Sequence, residues 1–150
     1  MEIFIASDHG GFELKNKIKE YLESKNLDFL DLGPKRVNPE DDYPDYAFAV
    51  ATEMQNNPES LGILICRSGN GMCIAANKVK GIYAALCFTS HHAQKAREDD
   101  NANVLCLDSD YEGEDDHLKI VESFINSKFA GPETRHGRRF MKIVEFENNN

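Results

Sequence analysis

The segment from Cys66 to Gly71, Cys-Arg-Ser-Gly-Asn-Gly, has the residue types and spacing best suited to chemistry in this chain. Its cysteine ends an apolar run, and its glycines let the backbone approach a ligand closely. A helix that opens at about Met72 would point free N–H groups at an anion or a developing oxyanion, and the same field would favour a thiolate at Cys66. A tight turn after a buried cysteine is the alternative interpretation. Because the glycines and Ser68 accompany the cysteine, we favour a thiol base beside an anion cradle.

Asp8 and His9 follow the first apolar run of the chain. A histidine exchanges protons near neutral pH, so His9 is a candidate acid–base group with Asp8 beside it. A histidine that only satisfies local backbone groups is an equally good interpretation of these two residues alone.

A basic cluster, Arg-His-Gly-Arg-Arg at 135–139, stands out in a chain with 26 acidic and 17 basic residues. If Arg138 begins a helix, Arg135 and Arg139 lie about one turn apart and could bind one phosphate through bidentate hydrogen bonds. A solvated basic helix start is the alternative. It is weakened because cations are unfavourable at the amino end of a helix.

Two other functions of the Cys66 segment are disfavoured, because each would require a residue that this chain lacks. A dinucleotide-binding fingerprint would need a glycine three residues beyond Gly71, where Ile74 stands. A cysteine-phosphatase loop would need an arginine six residues after the cysteine, where Met72 stands. Nucleotide-cofactor and phosphotyrosine-type chemistry are therefore disfavoured.

Charge and composition limit the classes of partner that this chain could bind. The net charge of -9 argues against binding to nucleic acid or to an anionic membrane, so an anionic substrate would need a local basic pocket. No window has the roughly 20 apolar residues of a membrane span, and the first residues lack a signal-peptide pattern, which predicts a cytoplasmic protein. Cys87 and Cys106 lie inside apolar runs, which predicts free thiols. Cys66 and Cys73, the nearest of the four cysteines, are too far apart for a zinc motif, so we predict no metal.

Apolar runs alternate with amphipathic stretches, which is typical of a parallel sheet covered by helices. The runs predict strands at 2–6, 28–32, 61–66, 82–88 and 104–107. Helices are expected within 14–22 and 47–54, from Thr89 or Ser90 to about Asp99, and over 115–126 and 138–147. The sequence thus predicts one α/β domain spanning 1–150, a three-layer Rossmann-like fold whose five-stranded parallel sheet is flanked by helices.

The carboxyl ends of parallel strands form the ligand-binding edge of such a sheet. Three segments should meet there, 7–11, 67–71 and 89–92, because they follow the first, third and fourth strands. The longest break, 33–45, contains three prolines and an acidic cluster at 40–42. Composition favours a solvated connection there over a functional loop.

At this point the sequence resembles the type B ribose-5-phosphate isomerases and their galactose- and allose-6-phosphate isomerase relatives. The resemblance covers nearly the whole chain, and the run 74–78 is its most specific part. The matching motifs are Ser7-Asp8-His9-Gly10-Gly11 with Leu14-Lys15, Asp42-Tyr43-Pro44, Cys66-Arg67-Ser68-Gly69-Asn70-Gly71 with Ile74-Ala75-Ala76-Asn77-Lys78, Ala96-Arg97-Glu98, Asn103-Val104-Leu105, and Arg135-His136 with Arg139.

The resemblance implies a five-stranded Rossmann-like sheet and a homodimer, often paired into a tetramer, with active sites shared between subunits. The helix near 138–147 would pack on the partner subunit. In such enzymes the sugar ring is opened, and a base moves a proton between C2 and C1 through a cis-enediolate. No cofactor or metal is required.

The resemblance also assigns roles at the thiol end of the site. Cys66 would be the base at C2, and Ser68 would be its hydrogen-bonding partner. The N–H groups of Gly69, Asn70 and Gly71 would form the oxyanion cradle.

At the other end of the site, the resemblance implies that Asp8, His9 and Tyr43 hold the open sugar or assist ring opening. Arg135 and Arg139 of the partner subunit would bind the phosphate.

The chain departs from the family pattern at three places. Asp99 and Asp100 stand where a histidine and an asparagine are usual, and Asp108-Ser109-Asp110 stands where the family has Gly-Ser-Arg or Gly-Gly-Arg. Carboxylates beside a phosphate dianion should cost on the order of several kcal/mol in a partly desolvated site. Arg67 replaces a usual glycine and could bring a cation to the cradle.

Three functions stay open on these grounds. The leading one is an aldose–ketose isomerase of a small sugar phosphate, with ribose 5-phosphate as the default substrate. The second is an isomerase of a non-phosphorylated or differently substituted sugar, because the carboxylates of Asp99, Asp100 and Asp110 suit hydroxyl groups. The third is a non-catalytic sugar-binding homologue or subunit.

Overall fold

Five parallel strands form the centre of the protein in a computed structural model that describes all residues, Met1–Asn150. Their order in the sheet is β2-β1-β3-β5-β4. The strands are β1 Ile3–Ser7, β2 Phe29–Asp31, β3 Leu61–Cys66, β4 Ala84–Leu86 and β5 Val104–Asp108. The predicted α/β Rossmann-like fold with a five-stranded parallel sheet is confirmed.

Helices cover both faces of this sheet and create the three layers. They are α1 Phe12–Ser24, α2 Tyr43–Asn56, α3 Asn70–Ala76, α4 Ser90–Asp100, α5 His117–Asn126 and α6 Arg135–Asn148, with a 3₁₀ turn at His9–Gly11. Ile3 and Ile5 pack in one buried cluster with residues of α1, α4 and α5, whereas Phe4 and Ala6 pack in a second cluster with residues of α2 and α3. Because both faces are covered, β1 and β3 are buried along their whole length.

The fourth strand is shorter than the predicted 82–88. Ile82 closes a turn with its N–H on the Val79 carbonyl, and the next two N–H groups donate to side chains. Tyr83 N–H donates to Asn103 Oδ1 and Ala84 N–H to Asn77 Oδ1, each at 2.8 Å. Side-chain oxygens therefore take the place of the backbone acceptors of a neighbouring strand up to Ala84, where β4 begins.

The last helix begins three residues earlier than the predicted 138–147. The Thr134 side chain accepts a hydrogen bond from Gly137 N–H at 3.0 Å, so the helix starts at Arg135. Glu147, near its end, accepts from the Tyr83 hydroxyl at 2.8 Å and from Gly81 N–H at 3.0 Å. These bonds fix α6 beside the sheet edge formed by β4.

No helix in the protein has the length and hydropathy of a membrane span.

Candidate active site

The carboxyl ends of β1, β3 and β5 meet through backbone hydrogen bonds between their loops. Asp8 N–H donates to the Ile65 carbonyl at 3.2 Å, and Ser109 N–H donates to the Cys66 carbonyl at 3.0 Å. The Ser109 hydroxyl donates to the Gly10 carbonyl at 2.9 Å. Two of the three segments expected at this edge, 7–11 and 67–71, are thus joined, together with the loop after β5.

The third expected segment has a structural role. The Thr89 side chain caps α4 by accepting His92 N–H at 3.1 Å, which confirms the predicted start of that helix. Ser90 donates both its N–H and its hydroxyl to Asp115. Through these bonds, the segment holds α4 and the loop before α5 together. It follows β4, which lies at the sheet edge beyond β5.

Cys66 ends β3 with its side chain almost enclosed, at 5% exposure. Gly69 N–H donates to its Sγ at 3.2 Å. Burial raises the pKa of the Cys66 thiol, the N–H groups of Met72, Gly69 and Ser68 act to lower it, and the Asp8 charge adds to the increase. The expected stabilisation of a thiolate by the helix start is therefore present, but burial outweighs it.

The residues after Cys66 form a tight turn into α3. Gly69 has a φ of 79°, and a Cβ there would lie 2.5 Å from Leu86 Cδ1, so glycine is required on both grounds. Ser68 Oγ accepts from Asn70 N–H at 3.3 Å, so its bond in this structure is to the turn and not to the thiol. Gly69 N–H is directed at Sγ and Asn70 N–H at Ser68 Oγ, which leaves Gly71 N–H as the free donor of the turn.

Tyr43 reaches this turn from α2. A Cβ on Gly71 would lie 2.5 Å from Tyr43 Cε1, so the absence of a side chain at Gly71 is what lets the ring pack there. The Tyr43 side chain stays 40% exposed. The structure therefore brings Tyr43 beside the Cys66 segment, although 23 positions separate Tyr43 from Cys66 in the chain.

Asp8 and His9 occupy the turn after β1. Asp8 is buried, and its Oδ1 accepts Gly11 N–H at 3.1 Å, which caps the 3₁₀ turn. His9 Nδ1 lies 2.7 Å from Oδ1 of Asp41, whose side chain is only 4% exposed. One ligand atom from each of Asp8, His9 and Asp41 lies within 4.8 Å of the others, so these three residues are the group that could hold a metal ion.

Asp41 is the residue that the sequence interpretation missed. It lies in the 33–45 break, where composition predicted a solvated connection, and that prediction is wrong for Asp41. The only signal in the sequence was the acidic cluster immediately before Tyr43 and Pro44.

Next to His9 lies a cleft of about 510 Å³ whose polar lining includes His9, Lys17, Arg67, Asp110, Glu112 and His117. We call it the His9 cleft. The Arg67 stem passes over Gly10, and its guanidinium lies 3.6 Å from Asp110 Oδ1. Both side chains are more than half exposed, at 64% and 57%. Asp110, which raised doubt about phosphate binding, is thus paired with Arg67.

Arg135 and Arg139 lie away from Cys66 within one chain. Phe140, next to Arg139, packs on Tyr83 with 4.8 Å between ring centroids, and Glu147 bonds Tyr83 and Gly81 just before β4, whereas Cys66 is at the carboxyl end of β3. His136 Nε2 lies 4.0 Å from Asp99, at the end of α4. Both arginines are exposed.

This chain is similar to known proteins over nearly its whole length. A family model described as Ribose/Galactose Isomerase matches residues 3–143. A relative from Mycoplasma pneumoniae named "Probable ribose-5-phosphate isomerase B" is 52% identical over 145 residues, which cover 97% of this chain and 94% of the relative.

Two solved structures have the same fold throughout. Ribose-5-phosphate isomerase B from Mycoplasma genitalium with bound ribulose-5-phosphate matches with a TM-score of 0.93 at 48% identity, covering 99% of this chain and 97% of that chain. Ribose-5-phosphate isomerase B from Clostridium thermocellum matches with a TM-score of 0.92 at 40% identity, covering 99% of both chains.

Proposed function

This chain belongs to the ribose/galactose isomerase family and is an aldose–ketose isomerase of a sugar phosphate, and we propose that it interconverts ribose 5-phosphate and ribulose 5-phosphate. The observation that supports this most is the enclosed Cys66 thiol at the joined carboxyl ends of β1, β3 and β5, beside Asp8 and His9. The substrate follows from the ribulose 5-phosphate bound by the Mycoplasma genitalium relative.

Cys66 is the proposed base. Its thiolate removes the proton from C2 of the open-chain aldose, the electron pair forms the double bond between C1 and C2, and O1 becomes an oxyanion. Gly71 N–H, and Asn70 N–H once the Ser68 hydroxyl rotates away from it, stabilise the developing charge, while Gly69 N–H supports the thiolate. The hydroxyl proton on O2 moves to O1, and the thiol returns its proton to C1, which gives the ketose. No proton is gained or lost overall.

His9, Asp8 and Tyr43 are proposed to hold the open sugar or to assist ring opening. His9 lines the His9 cleft, and Tyr43 packs at the start of α3, so the two approach the Cys66 segment from different elements. Arg67 is proposed to bring positive charge to this end of the site, moderated by its pair with Asp110. Ser68 is proposed to approach the thiol or the sugar after a rotation of its exposed side chain.

The phosphate end of the site is proposed to come from a second copy of the chain. Within one chain, Arg135 and Arg139 lie at the opposite end of the sheet from Cys66, so a partner subunit would have to supply them. Large apolar side chains on α3 and α6 support a dimer, since Ile74, Ile143 and Phe146 are 63%, 52% and 70% exposed. The proposed assembly is a homodimer or a pair of dimers with shared sites.

The base is tested by exchange of the C2 proton with deuterated water during turnover. Cys66→Ala should lose exchange and isomerisation by roughly 10³-fold or more, because no other group accepts the C2 proton. Cys87→Ala is the matched control, since it removes another buried thiol, one that packs in the other core cluster. Full exchange in a folded Cys66→Ala protein would exclude the base assignment.

The substrate is tested with a panel of pentoses and hexoses, each with and without phosphate. The proposal expects the highest kcat/KM for ribose 5-phosphate. A preference for a sugar without phosphate would instead support the second function, for which Asp99, Asp100 and Asp110 were the grounds in the sequence. Calorimetric binding of sugars without any turnover would contradict catalysis altogether.

A further inference from the structure

Asp41 reaches His9 from a distant part of the chain, 32 positions away. A single oxygen, Asp41 Oδ1, accepts from His9 Nδ1 at 2.7 Å and from His9 N–H at 3.3 Å. A carboxylate only accepts hydrogen bonds, so Nδ1 must carry the proton in this pair. The structure gives His9 Nε2 no hydrogen-bond partner in the protein, and His9 lines the His9 cleft.

The surroundings of Asp41 show that His9 is its principal partner. Its side chain is 4% exposed, and its Oδ2 is buried with no hydrogen-bond partner. A buried carboxylate is costly unless it is paired, so the bond to His9 is what compensates for it. The facing groups are Asp8, which is acidic, and Tyr46, whose hydroxyl also approaches Asp41 and whose pKa is raised by burial and then by the charge and hydrogen bonding of Asp41. On the cleft side, the charged residues beside His9 include Glu13, Lys17 and Arg67.

We propose that Asp41 is a positioning residue that holds the His9 ring with Nδ1–H on its carboxylate, so that Nε2 is the nitrogen presented to a sugar hydroxyl. The inference rests on the proposed role of His9 toward the open sugar. The same three residues could be viewed as metal ligands. The 2.7 Å separation of Nδ1 and Oδ1 is that of a hydrogen bond, and with Nδ1 protonated only Nε2 could coordinate a metal.

The first test reads the ring nitrogens directly and needs no substrate. Long-range ¹H–¹⁵N NMR of the labelled protein, with the His9 signals assigned through His9→Gln, should show the neutral ring with its proton on Nδ1. Asp41→Ala should shift the ring to the Nε2–H form or to a mixture. Asp41→Asn should keep the Nδ1–H form, because its amide oxygen still accepts. Glu40→Ala, an exposed residue of the same segment, should change nothing.

The second test is kinetic. Asp41→Ala should lower kcat by roughly tenfold or more with KM changed far less, and Asp41→Asn should restore most of the loss. In a His9→Ala background, Asp41→Ala should lower kcat by less than about twofold further. The effects of two residues that act as a unit are not additive. An equal loss in both backgrounds, or an unchanged tautomer in Asp41→Ala, would overturn the proposal. If ribose 5-phosphate is not turned over while the ring is in the Nδ1–H form, the substrate assignment fails and the Asp41–His9 geometry stands.

Discussion

Local environment gives the cysteine thiols of this protein different acidities. Burial raises the pKa of Cys66 from its ordinary value of 9.0, and it raises that of Cys87 to about 12. The pKa of Cys73 is lowered to about 7, chiefly because the Cys106 thiol donates a hydrogen bond to it. The proposed base is therefore mainly a thiol at neutral pH. A base with a raised pKa accepts a proton more strongly, but a smaller fraction of it is deprotonated.

The pH dependence of kcat/KM should distinguish Cys66 from Cys73. A base whose pKa lies above 9.0 is increasingly deprotonated as the pH rises, so kcat/KM should still be rising at pH 9, by roughly tenfold per unit at its steepest. Initial rates from pH 6 to 10 measure this, with Cys73→Ala as the control that should leave the profile in place. A profile that levels off near pH 7 and is lost in Cys73→Ala would contradict the assignment.

At the scale of elements, a buried ion pair joins α1 to the end of β2. The Lys15 side chain is fully enclosed, and its Nζ donates to Asp31 Oδ1 at 3.0 Å and to the Pro34 carbonyl at 2.6 Å. Burial opposes ionisation of Asp31, but the pKa of Asp31 is still lowered because Lys19, Gly33 N–H and Lys15 outweigh it. This pair fixes the start of the 33–45 segment, which leads to Asp41.

Removing Lys15 should destabilise the fold. Lys15→Met leaves the half-buried Asp31 with Lys19 as its one cation, and the free energy of unfolding should fall by about 3 kcal/mol, as for other broken buried pairs. Lys19→Met should cost about 1 kcal/mol or less, since the Lys19 side chain is 29% exposed. Urea unfolding at pH 7 measures both changes.

The stability lost in Lys15→Met should also depend on pH, and the pKa of Asp31 sets the direction of that dependence. Because the folded-state pKa of Asp31 is depressed, its contribution to stability is present above its ordinary value of 3.8 and is lost as the pH falls through the lower folded value. The difference between wild type and Lys15→Met should narrow below pH 3.8. Equal stability of the two proteins at pH 7 would show that the pair is not a determinant of the fold.

At the scale of the whole molecule, one chain holds the two proposed halves of the site at opposite ends of the sheet. Cys66 lies at the carboxyl ends of the strands, and α6 is attached near their amino ends through Glu147, Tyr83 and Gly81. On the proposed assignment of Arg135 and Arg139 to the phosphate, a complete site needs two copies whose opposite ends meet. In a symmetric dimer the arrangement would form twice.

Mixing two inactive variants tests this arrangement. In a random mixture of Cys66→Ala and Arg139→Ala protomers, half of the dimers are mixed, and each mixed dimer has one intact site, so about a quarter of the activity should return. A mixture of Arg135→Ala and Arg139→Ala should recover nothing, because both arginines come from the same protomer. Co-expression and activity assays measure the two mixtures. No recovery in the first would place both halves of the site in one chain.

The sequence alone determined the features that depend on local pattern. Apolar periodicity predicted the strands and their alternation with helices, because burial of one face leaves a regular spacing in the chain. It also identified Cys66 with its glycines, and Asp8 with His9, because a strand end followed by a tight turn is a local property. The resemblance of the motifs to those of known enzymes then indicated the family.

Only the tertiary structure decided which distant residues meet. The bond between His9 and Asp41, the pair of Arg67 with Asp110, and the separation of Arg139 from Cys66 depend on the path of loops and on sheet order. No periodicity encodes such contacts, because each joins residues far apart in sequence. The exposure of a side chain is decided in the same way, since the acidic composition of 33–45 predicted a solvated loop, whereas the Asp41 side chain is buried beside His9 and Tyr46.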